Sequence, residues 1–211
     1  MTPVYKLSAN SVKNGRTVYG SMLAGNPVYT IPTDFESIAT VSVGSGGAAN
    51  VEFTSIPATY THLQVRGIAR ANRATYGADT MRLTFNSDTG TNYASHRLLG
   101  DGSTAYANAS TTQSYIQFGD SVGTNNGPGA GNVGVSVVDI LDYANTNKYK
   151  TVRVLAGVDV NGTVAGFGGV VGLTSGLWQS TSAITSIKLV VETGINFLQY
   201  TTFALYGIKG A

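Results

Sequence analysis

Charged residues are scarce in this chain. Asp, Glu, Lys and Arg make up 11% of its 211 residues, against roughly a quarter in an average soluble domain. The 13 basic and 11 acidic residues give a formal net charge of +2. This small excess does not indicate a nucleic-acid-binding protein, because neutralising phosphates needs a dense basic patch. So few acids and bases also leave little material for acid–base catalysis.

Cysteine is absent, which excludes a disulfide framework and thiolate metal sites. No run of 18 or more apolar residues occurs, so we expect no membrane-spanning helix. The first 20 residues lack a charged segment followed by an apolar one and do not read as a secretory signal peptide. His62 and His96 have no His, Asp or Glu at metal-ligand spacing, so we expect both to be surface or interface residues.

Short runs of Val, Ile, Leu, Phe and Tyr recur along the chain, separated by clusters of Gly, Asn, Asp, Ser and Thr. This pattern is typical of an all-β protein with many short strands. The length suffices for one β domain with a sizeable core. We therefore predict an all-β fold, a jelly-roll-like antiparallel β-sandwich over residues 35–211, with an extended N-terminal arm over residues 1–34.

The predicted arm differs in composition from the rest of the chain. It contains basic residues but no acid before Asp34. Pro27 and Pro32 interrupt any strand near its end, because proline lacks the N–H that a central strand needs. A disordered tail is the alternative, but the segment carries too much apolar surface for one. We expect a set of its apolar side chains to dock on a neighbouring chain: Tyr5, Leu7, Tyr19, Met22, Leu23 and Tyr29.

Alternation of apolar and polar residues locates the strands. The clearest hairpin joins residues 133–143 to residues 148–160 through a loop at 144–147. Residues 119–132 are rich in Gly and Asn and are predicted to form a loop. The other strands are predicted at 37–43, 49–54, 60–71, 80–85, 92–99, 103–109, 112–118, 163–173, 183–191 and 200–208. The predicted core is Leu63, Val65, Met81, Leu83, Phe85, Val135, Val137, Val154, Phe203 and Leu205.

The strand at 200–208 carries apolar residues on both faces, with Tyr206 and Ile208 on one and Phe203 and Leu205 on the other. A strand of this kind should be central in its sheet and buried on both sides. A central position for the last strand suits Greek-key or jelly-roll topology better than a meander.

Candidate catalytic groups are few and scattered. The chain has no Gly-x-Ser-x-Gly nucleophile elbow, and Asp139 and Asp142 should point to opposite faces of one strand. Asp139 with Asp101 or Asp120 would form the carboxylate pair of a glycosidase only if the fold brought them together. A glycan hydrolase stays open as a third functional class. We predict a non-enzymatic protein without catalytic, cofactor-binding or metal-ligating residues.

Arginines form the most site-like pattern in the sequence. Arg66 and Arg70 share a strand face by parity, and Arg82 in the next strand is expected to lie opposite them. Planar guanidinium groups make bidentate contacts across interfaces. Arg66, Arg70 and Arg82 are therefore candidates for an intersubunit or anion-binding face, and a solvated face with local acidic partners is the alternative.

Several segments resemble a family of small tailed-phage virion proteins. The resemblance covers most of residues 35–211, and residues 11–26 resemble a virion anchoring segment. It implies a structural role, as a capsid decoration (cement) protein or as part of a fibre or adhesin, and it carries no catalytic signature. The segments are FESIAT at 35–40, SIPATYTHL at 55–63, LTFNSD at 83–88 followed by NY at 92–93, DYANTNK at 142–148 and FALYGIK at 203–209.

The resemblance leads us to expect a homotrimeric accessory protein on the capsid exterior of a virion. Its partners would be further copies of itself and the major capsid protein or another virion protein, with no membrane and no nucleic acid. The alternative is a tail-fibre, receptor-binding or carbohydrate-binding module, in which Tyr, Asn and Trp178 on loops hold a host surface glycan. The arm discriminates between them, because a cement protein needs it to bind the shell.

Overall fold

The computed structural model describes residues 34–124, 131–164 and 166–210. Within these ranges the chain forms twelve β-strands and no helix. The strands are β1 Phe35–Ser42, β2 Val51–Phe53, β3 His62–Ala71, β4 Ala78–Phe85, β5 Tyr93–Gly100, β6 Ala105–Gln113, β7 Ile116–Thr124, β8 Gly134–Leu141, β9 Lys150–Val164, β10 Phe167–Trp178, β11 Ile187–Val191 and β12 Thr202–Ile208. The prediction of an all-β fold is confirmed.

The strands pair into two antiparallel sheets. The larger sheet has the order β1-β12-β3-β8-β9-β10-β5-β6, and the smaller sheet has the order β2-β11-β4-β7. A short parallel pairing between the ends of β3 and β7, at Arg70 with Gly123 and Ala71 with Thr124, joins the two sheets. Buried side chains from both sheets form one apolar cluster, so the sheets are the two layers of a sandwich.

Eight of the strands follow jelly-roll connectivity. Along the chain, β1, β2, β3 and β4 alternate between the larger and the smaller sheet, β7 follows β4 in the smaller sheet, and β8, β11 and β12 alternate again. The antiparallel pairs β1·β12, β2·β11, β3·β8 and β4·β7 are those of two Greek keys wound together. The strands β5 with β6 and β9 with β10 are insertions that extend the larger sheet beyond β8.

The core follows from the alternation of side chains along each strand. In β11, for example, Ile187, Leu189 and Val191 are buried while the two residues between them are half-exposed. Phe203 of β12 lies over Gly67 of β3, where a Cβ atom would come within 2.2 Å of the ring. Glycine at that position therefore lets two neighbouring strands keep a large aromatic ring between the layers.

Two connecting loops are held by a buried cation. The side chain of Lys150 is fully buried at the start of β9. Its Nζ donates to the carbonyl oxygens of Asn145 (2.6 Å), Lys148 (2.8 Å) and Thr181 (3.2 Å). These carbonyls belong to the β8–β9 and β10–β11 loops. Lys150 thus ties together one end of the sandwich, and its burial lowers the pKa of the ammonium group.

The structure corrects the predicted side-chain orientation of β8. Val135 is 52% exposed and Val137 half-exposed, whereas Val138 and Ile140 are fully buried. The prediction that Val135 and Val137 are core residues is therefore wrong by one residue in parity. The more apolar face of this strand points away from the core. The other eight residues of the predicted core are buried.

Three further sequence predictions need correction. The predicted loop over 119–132 begins as strand, because β7 continues to Thr124. The connection between β8 and β9 spans residues 142–149 and not only 144–147. The last strand β12 lies between β1 and β3 as predicted, but only one face of it is buried.

The N-terminal arm predicted over 1–34 lies outside the described residues, apart from Asp34. In the part of the chain that is described, no helix is long and apolar enough to cross a membrane. The Asp34 carbonyl accepts a hydrogen bond from the Lys209 N–H at 2.9 Å. This bond fixes Asp34 next to the end of β12.

Candidate interaction surface on the larger sheet

The face of the larger sheet that points away from the core carries a continuous apolar band. We define this outer band by six side chains that are each 43–60% exposed: Ile68, Leu98, Val135, Leu155, Val171 and Leu173. They come from β3, β5, β8, β9 and β10. Single exposed apolar residues are common on proteins, whereas a contiguous apolar patch is typical of interaction sites and makes this face a candidate for one.

Strand register brings these side chains side by side. Val137, Leu155, Leu173 and Leu98 are directly paired across β8, β9, β10 and β5. In the next row, Ile68 pairs with Val135 on the neighbouring strand. Directly opposite residues on one face of a sheet have their Cβ atoms about 5 Å apart. The outer band is therefore one surface and not a set of separate residues.

A polar row borders the outer band. Gln64, Asp139, Arg153, Ser175 and His96 are paired in register across the same strands. Asp139 accepts a hydrogen bond from Gln64 Nε2 at 2.8 Å and from Arg153 Nη2 at 3.0 Å. A groove of about 660 Å³ lies where the band and the row meet, lined by Leu98, Leu173, Arg153 and His96 among others. An apolar surface with a polar rim is the anatomy of a protein–protein interface.

Arg66 lies at the end of the outer band, where it is exposed. Its guanidinium carbon lies 5.2 Å from the ring centre of Phe35 and 5.6 Å from that of Tyr206. These two rings are stacked at 4.8 Å, and Arg66 Nε donates to Gln64 Oε1 at 2.7 Å. The planar group is held flat over an aromatic pair, an arrangement that presents a guanidinium to a partner at a low entropic cost.

Arg70 shares the outward parity of Arg66 in β3, whereas Arg82 lies in the other sheet. Arg70 lies at the far end of β3, where this strand meets β7 of the smaller sheet. Arg82 belongs to β4 in the smaller sheet, so the predicted grouping of Arg82 with Arg66 and Arg70 is wrong. Arg82 Nη2 donates to Glu192 Oε1 at 2.9 Å, and the guanidinium stacks on Tyr115 at 4.1 Å.

The two histidines lie in different surroundings. His62 Nδ1 accepts a hydrogen bond from the backbone N–H of Asp142 at 2.9 Å. His96 is exposed in the polar row, next to Ser175. Among the described residues no group of three or more His, Cys, Asp or Glu side chains could hold a metal ion. His62 is half-exposed and His96 is exposed.

The carboxylates singled out in the sequence separate into two places. Asp139 lies in the polar row, away from the others, and is engaged by Gln64 and Arg153. Asp101 and Asp120 line one recess at the end of the sandwich, together with Tyr76 and Tyr106. The possible pairing of Asp139 with either aspartate is thus not realised.

Trp178 cannot serve as a sugar-binding platform, contrary to the expectation for a carbohydrate-binding module. It is 2% exposed, and its ring packs against Phe85 and Tyr93 at centroid distances of 5.4 Å and 6.1 Å. Its Nε1 donates to Asp88 Oδ2 at 2.7 Å. Trp178 is a core residue whose single polar atom is satisfied by a loop carboxylate.

Sequence reasoning missed the outer band, in part because it assigned Val135 and Val137 of β8 to the core. The signal that could have found it is the double apolar pattern of β8 and β10, where both faces are hydrophobic. The predicted contact residues of the arm, Tyr5, Leu7, Tyr19, Met22, Leu23 and Tyr29, lie outside the described residues. No family model matches the chain, and no curated protein matches its sequence.

Proposed function

We propose that this chain is a non-enzymatic structural protein of a phage virion. In this role it is an accessory decoration, or cement, protein on the capsid exterior that assembles as a homotrimer and clamps neighbouring capsid subunits. The observation that carries the proposal is the outer band, an apolar surface of six side chains on a sheet face that nothing else in the described chain covers. The resemblance of residues 35–211 to tailed-phage virion proteins supports the same role.

The energetic argument is one of burial. Each Å² of apolar surface removed from water contributes about 25 cal/mol, and the outer band spans five adjacent strands. A partner surface that covers it gains this term without any change in the fold. A protein that binds only the assembled shell then stabilises the shell by mass action. In this proposal the arm over residues 1–34 adds a second contact to a neighbouring chain.

The test is the attachment of the chain to purified virions. Mass spectrometry of the particles is expected to detect the chain, and electron cryomicroscopy is expected to show it on the shell in threefold clusters. The double variant Leu155→Asn and Leu173→Asn should fold normally and lose attachment. The matched control is Tyr200→Asn, which alters a 68% exposed aromatic side chain in a loop outside the outer band.

Two results would contradict the proposal. One is that the chain is absent from purified particles. The other is that the double variant, with an unchanged melting temperature, decorates the shell at the occupancy of the unaltered chain.

A tail-fibre or receptor-binding module is the second candidate, favoured by one observation. The recess that contains Asp101, Asp120, Tyr76 and Tyr106 lies at the end of the sandwich, and none of the six outer-band side chains lines it. Jelly-roll proteins include both capsid proteins and lectins. In the same electron-microscopy experiment, density for the chain at the tail and not on the shell would favour this candidate.

A further inference from the structure

The recess at the end of the sandwich has the size of a small-molecule site. It encloses about 450 Å³ between the β5–β6 turn, the β9–β10 turn and the residues that precede β4. Ligand pockets generally measure roughly 300–1,000 Å³. It forms where the two layers separate, beside a small second core of Ala78, Val158, Val160 and Phe167.

Two tyrosines supply its apolar walls. Tyr76 packs on Phe167 at a centroid distance of 5.1 Å, which fixes the plane of its ring. Tyr106 of β6 is 48% exposed, so a large part of it is free to contact a ligand. Tyrosine combines a rigid apolar face with a polar tip, and such faces suit flat molecules with one apolar side.

Two carboxylates supply acceptors. Asp101 accepts hydrogen bonds from the N–H groups of Ser103 (2.8 Å) and Thr104 (2.6 Å), and Tyr106 Oη donates to its Oδ2 at 2.8 Å. These bonds, those from the backbone above all, hold the pKa of Asp101 well below its usual range. Asp101 is therefore an ionised acceptor whose position, and that of the Tyr106 ring, is fixed before any ligand arrives.

Asp120 reaches the recess from β7. Its Oδ1 accepts from Thr80 Oγ1 at 2.8 Å, and within the described residues no donor contacts its Oδ2. Burial, and after it the charge of Asp120, raise the pKa of Tyr76. The recess thus contains one carboxylate oxygen that is near an aromatic ring and available to a ligand.

The remaining lining decides the class of ligand. The Thr163 hydroxyl and the backbone of Gly166, Gly168 and Gly169 also line the recess, whereas the Ser103 hydroxyl already donates to Asp101 Oδ1 at 2.9 Å. No Lys or Arg side chain is among the described residues that line the recess. The Arg73 guanidinium lies 5.1 Å from the centre of the Tyr76 ring but pairs with Asp79 at 3.7 Å, so the recess with its two carboxylates stays net negative and disfavours an anionic ligand. An ammonium compound needs only acceptors and would leave the Thr163 hydroxyl donor unused.

We propose that the recess binds a neutral saccharide, with Tyr106 and Tyr76 against the C–H face of a sugar ring and Asp101 and Asp120 accepting hydrogen bonds from its hydroxyl groups. A carboxylate accepting from hydroxyls makes charge-assisted bonds, which are stronger than neutral ones. This inference does not depend on the outer band. A decoration protein and a fibre module would both be able to carry the site.

The experiment uses the full-length chain on a glycan array that holds neutral, sialylated and uronate-containing oligosaccharides. Binding of the best neutral oligosaccharide and of tetramethylammonium is then measured by titration calorimetry. We expect a neutral oligosaccharide to bind and the anionic ones to fail. Tyr106→Ala should weaken the affinity about tenfold, the value of one good aromatic contact. Asp120→Asn, which keeps an acceptor for Thr80, should weaken it by about tenfold or more.

The matched control is Tyr149→Ala, because Tyr149 is a 52% exposed tyrosine outside the recess. Its affinity should stay within about twofold of the unaltered chain. Melting curves of each variant separate a lost site from a lost fold. The proposal is overturned if no neutral saccharide binds at concentrations of about 10 mM, if tetramethylammonium binds in its place, or if folded Tyr106→Ala and Asp120→Asn bind as the unaltered chain does. None of these three outcomes bears on virion attachment. The saccharide proposal and the virion proposal can therefore be contradicted independently.

Discussion

At the scale of single residues, Lys150 shows how this charge-poor chain uses a buried charge. A buried ammonium is costly unless hydrogen bonds replace its water. All three donors of Lys150 have a carbonyl partner from the two loops at one end of the sandwich. Removing the side chain's charge would therefore remove one cation and leave three carbonyls without a donor.

We predict that Lys150→Met lowers the free energy of unfolding by about 1–3 kcal/mol, the usual cost of unsatisfied buried partners. Urea denaturation checks this value. The control is Lys148→Met, because the Lys148 side chain is 54% exposed and pairs with Asp142 at the surface. That variant should change stability by less than about 1 kcal/mol. Equal losses in the two variants would mean that the carbonyl contacts of Lys150 stabilise the protein no more than the surface ion pair of Lys148 does.

The buried hydroxyl of Tyr93 makes the stability of the protein depend on pH in the alkaline range. Its Oη accepts from the Phe85 N–H at 3.1 Å and donates to the carbonyls of Phe85 and Asp88 at 3.4 Å and 3.3 Å. Burial raises the pKa of Tyr93 from 10.0 to about 12. A raised folded-state pKa means that this contribution to stability is complete below pH 10. It is lost as the pH rises from 10 towards 12.

We predict that Tyr93→Phe is less stable than the unaltered chain at pH 8, by about 1 kcal/mol, because a buried hydrogen-bond partner is lost. Above pH 10 the difference should shrink by up to about 1.4 kcal/mol per pH unit, since only the tyrosine ionises. Urea unfolding at several pH values between 8 and 11.5 measures both curves. The other tyrosines are present in both proteins and cancel. A stability difference that stays constant with pH would contradict the assignment.

At the scale of elements, β8 has one face in the core and one face that is exposed. Val138 is fully buried and Val135 is 52% exposed, although both are valines of one strand. We predict that Val138→Ala lowers the free energy of unfolding by about 1–3 kcal/mol, through lost burial and a small cavity. Val135→Ala should change it by less than about 0.5 kcal/mol. Urea denaturation of the pair tests the strand orientation, and a larger loss at Val135 would reverse it.

The strands could largely be predicted from the sequence, because turn residues and alternation mark β3, β4 and β12 clearly. The orientation of β8 could not, because hydrophobicity alone does not distinguish a core face from a face that another molecule covers. The end of β7 was also missed. Residues 119–124 are mostly small and polar, and their extended conformation depends on pairing with β4. Such pairing is a tertiary effect that a local pattern does not contain.

For the candidate sites the limits are similar. The sequence predicted surface positions for His62 and His96 because neither has a His, Asp or Glu at the spacing of metal ligands. The recess could not be predicted, because its four polar residues come from three separate segments: Tyr76 before β4, Asp101 and Tyr106 in the β5–β6 hairpin, and Asp120 in β7. Arg82 was misplaced for a related reason. Consecutive strands of a jelly roll lie in opposite layers, whereas parity arguments assume that neighbours in sequence are neighbours in a sheet.

At the scale of the whole molecule, the core and the candidate binding surfaces are formed largely by different strands. The eight jelly-roll strands enclose most of the core. The inserted strands β5, β9 and β10 supply most of the outer band, and their turns close the recess. We therefore expect substitutions on these exposed faces to leave the stability of the sandwich nearly unchanged, since surface substitutions usually change it by less than about 0.5 kcal/mol.

The position of β12 has a consequence for how the chain is made. In the larger sheet β1 pairs only with β12 among the described strands, and Ser42 bonds Thr202, 160 residues further along. At a synthesis rate of roughly 5–20 residues per second, β1 waits about 8–30 s on the ribosome for its partner. During that time β1 and the neighbouring edge of β3 are open to pairing with other nascent chains. Copies translated side by side on one messenger would meet in this state, so the interval that delays folding is also one in which assembly between copies, or misassembly, can begin.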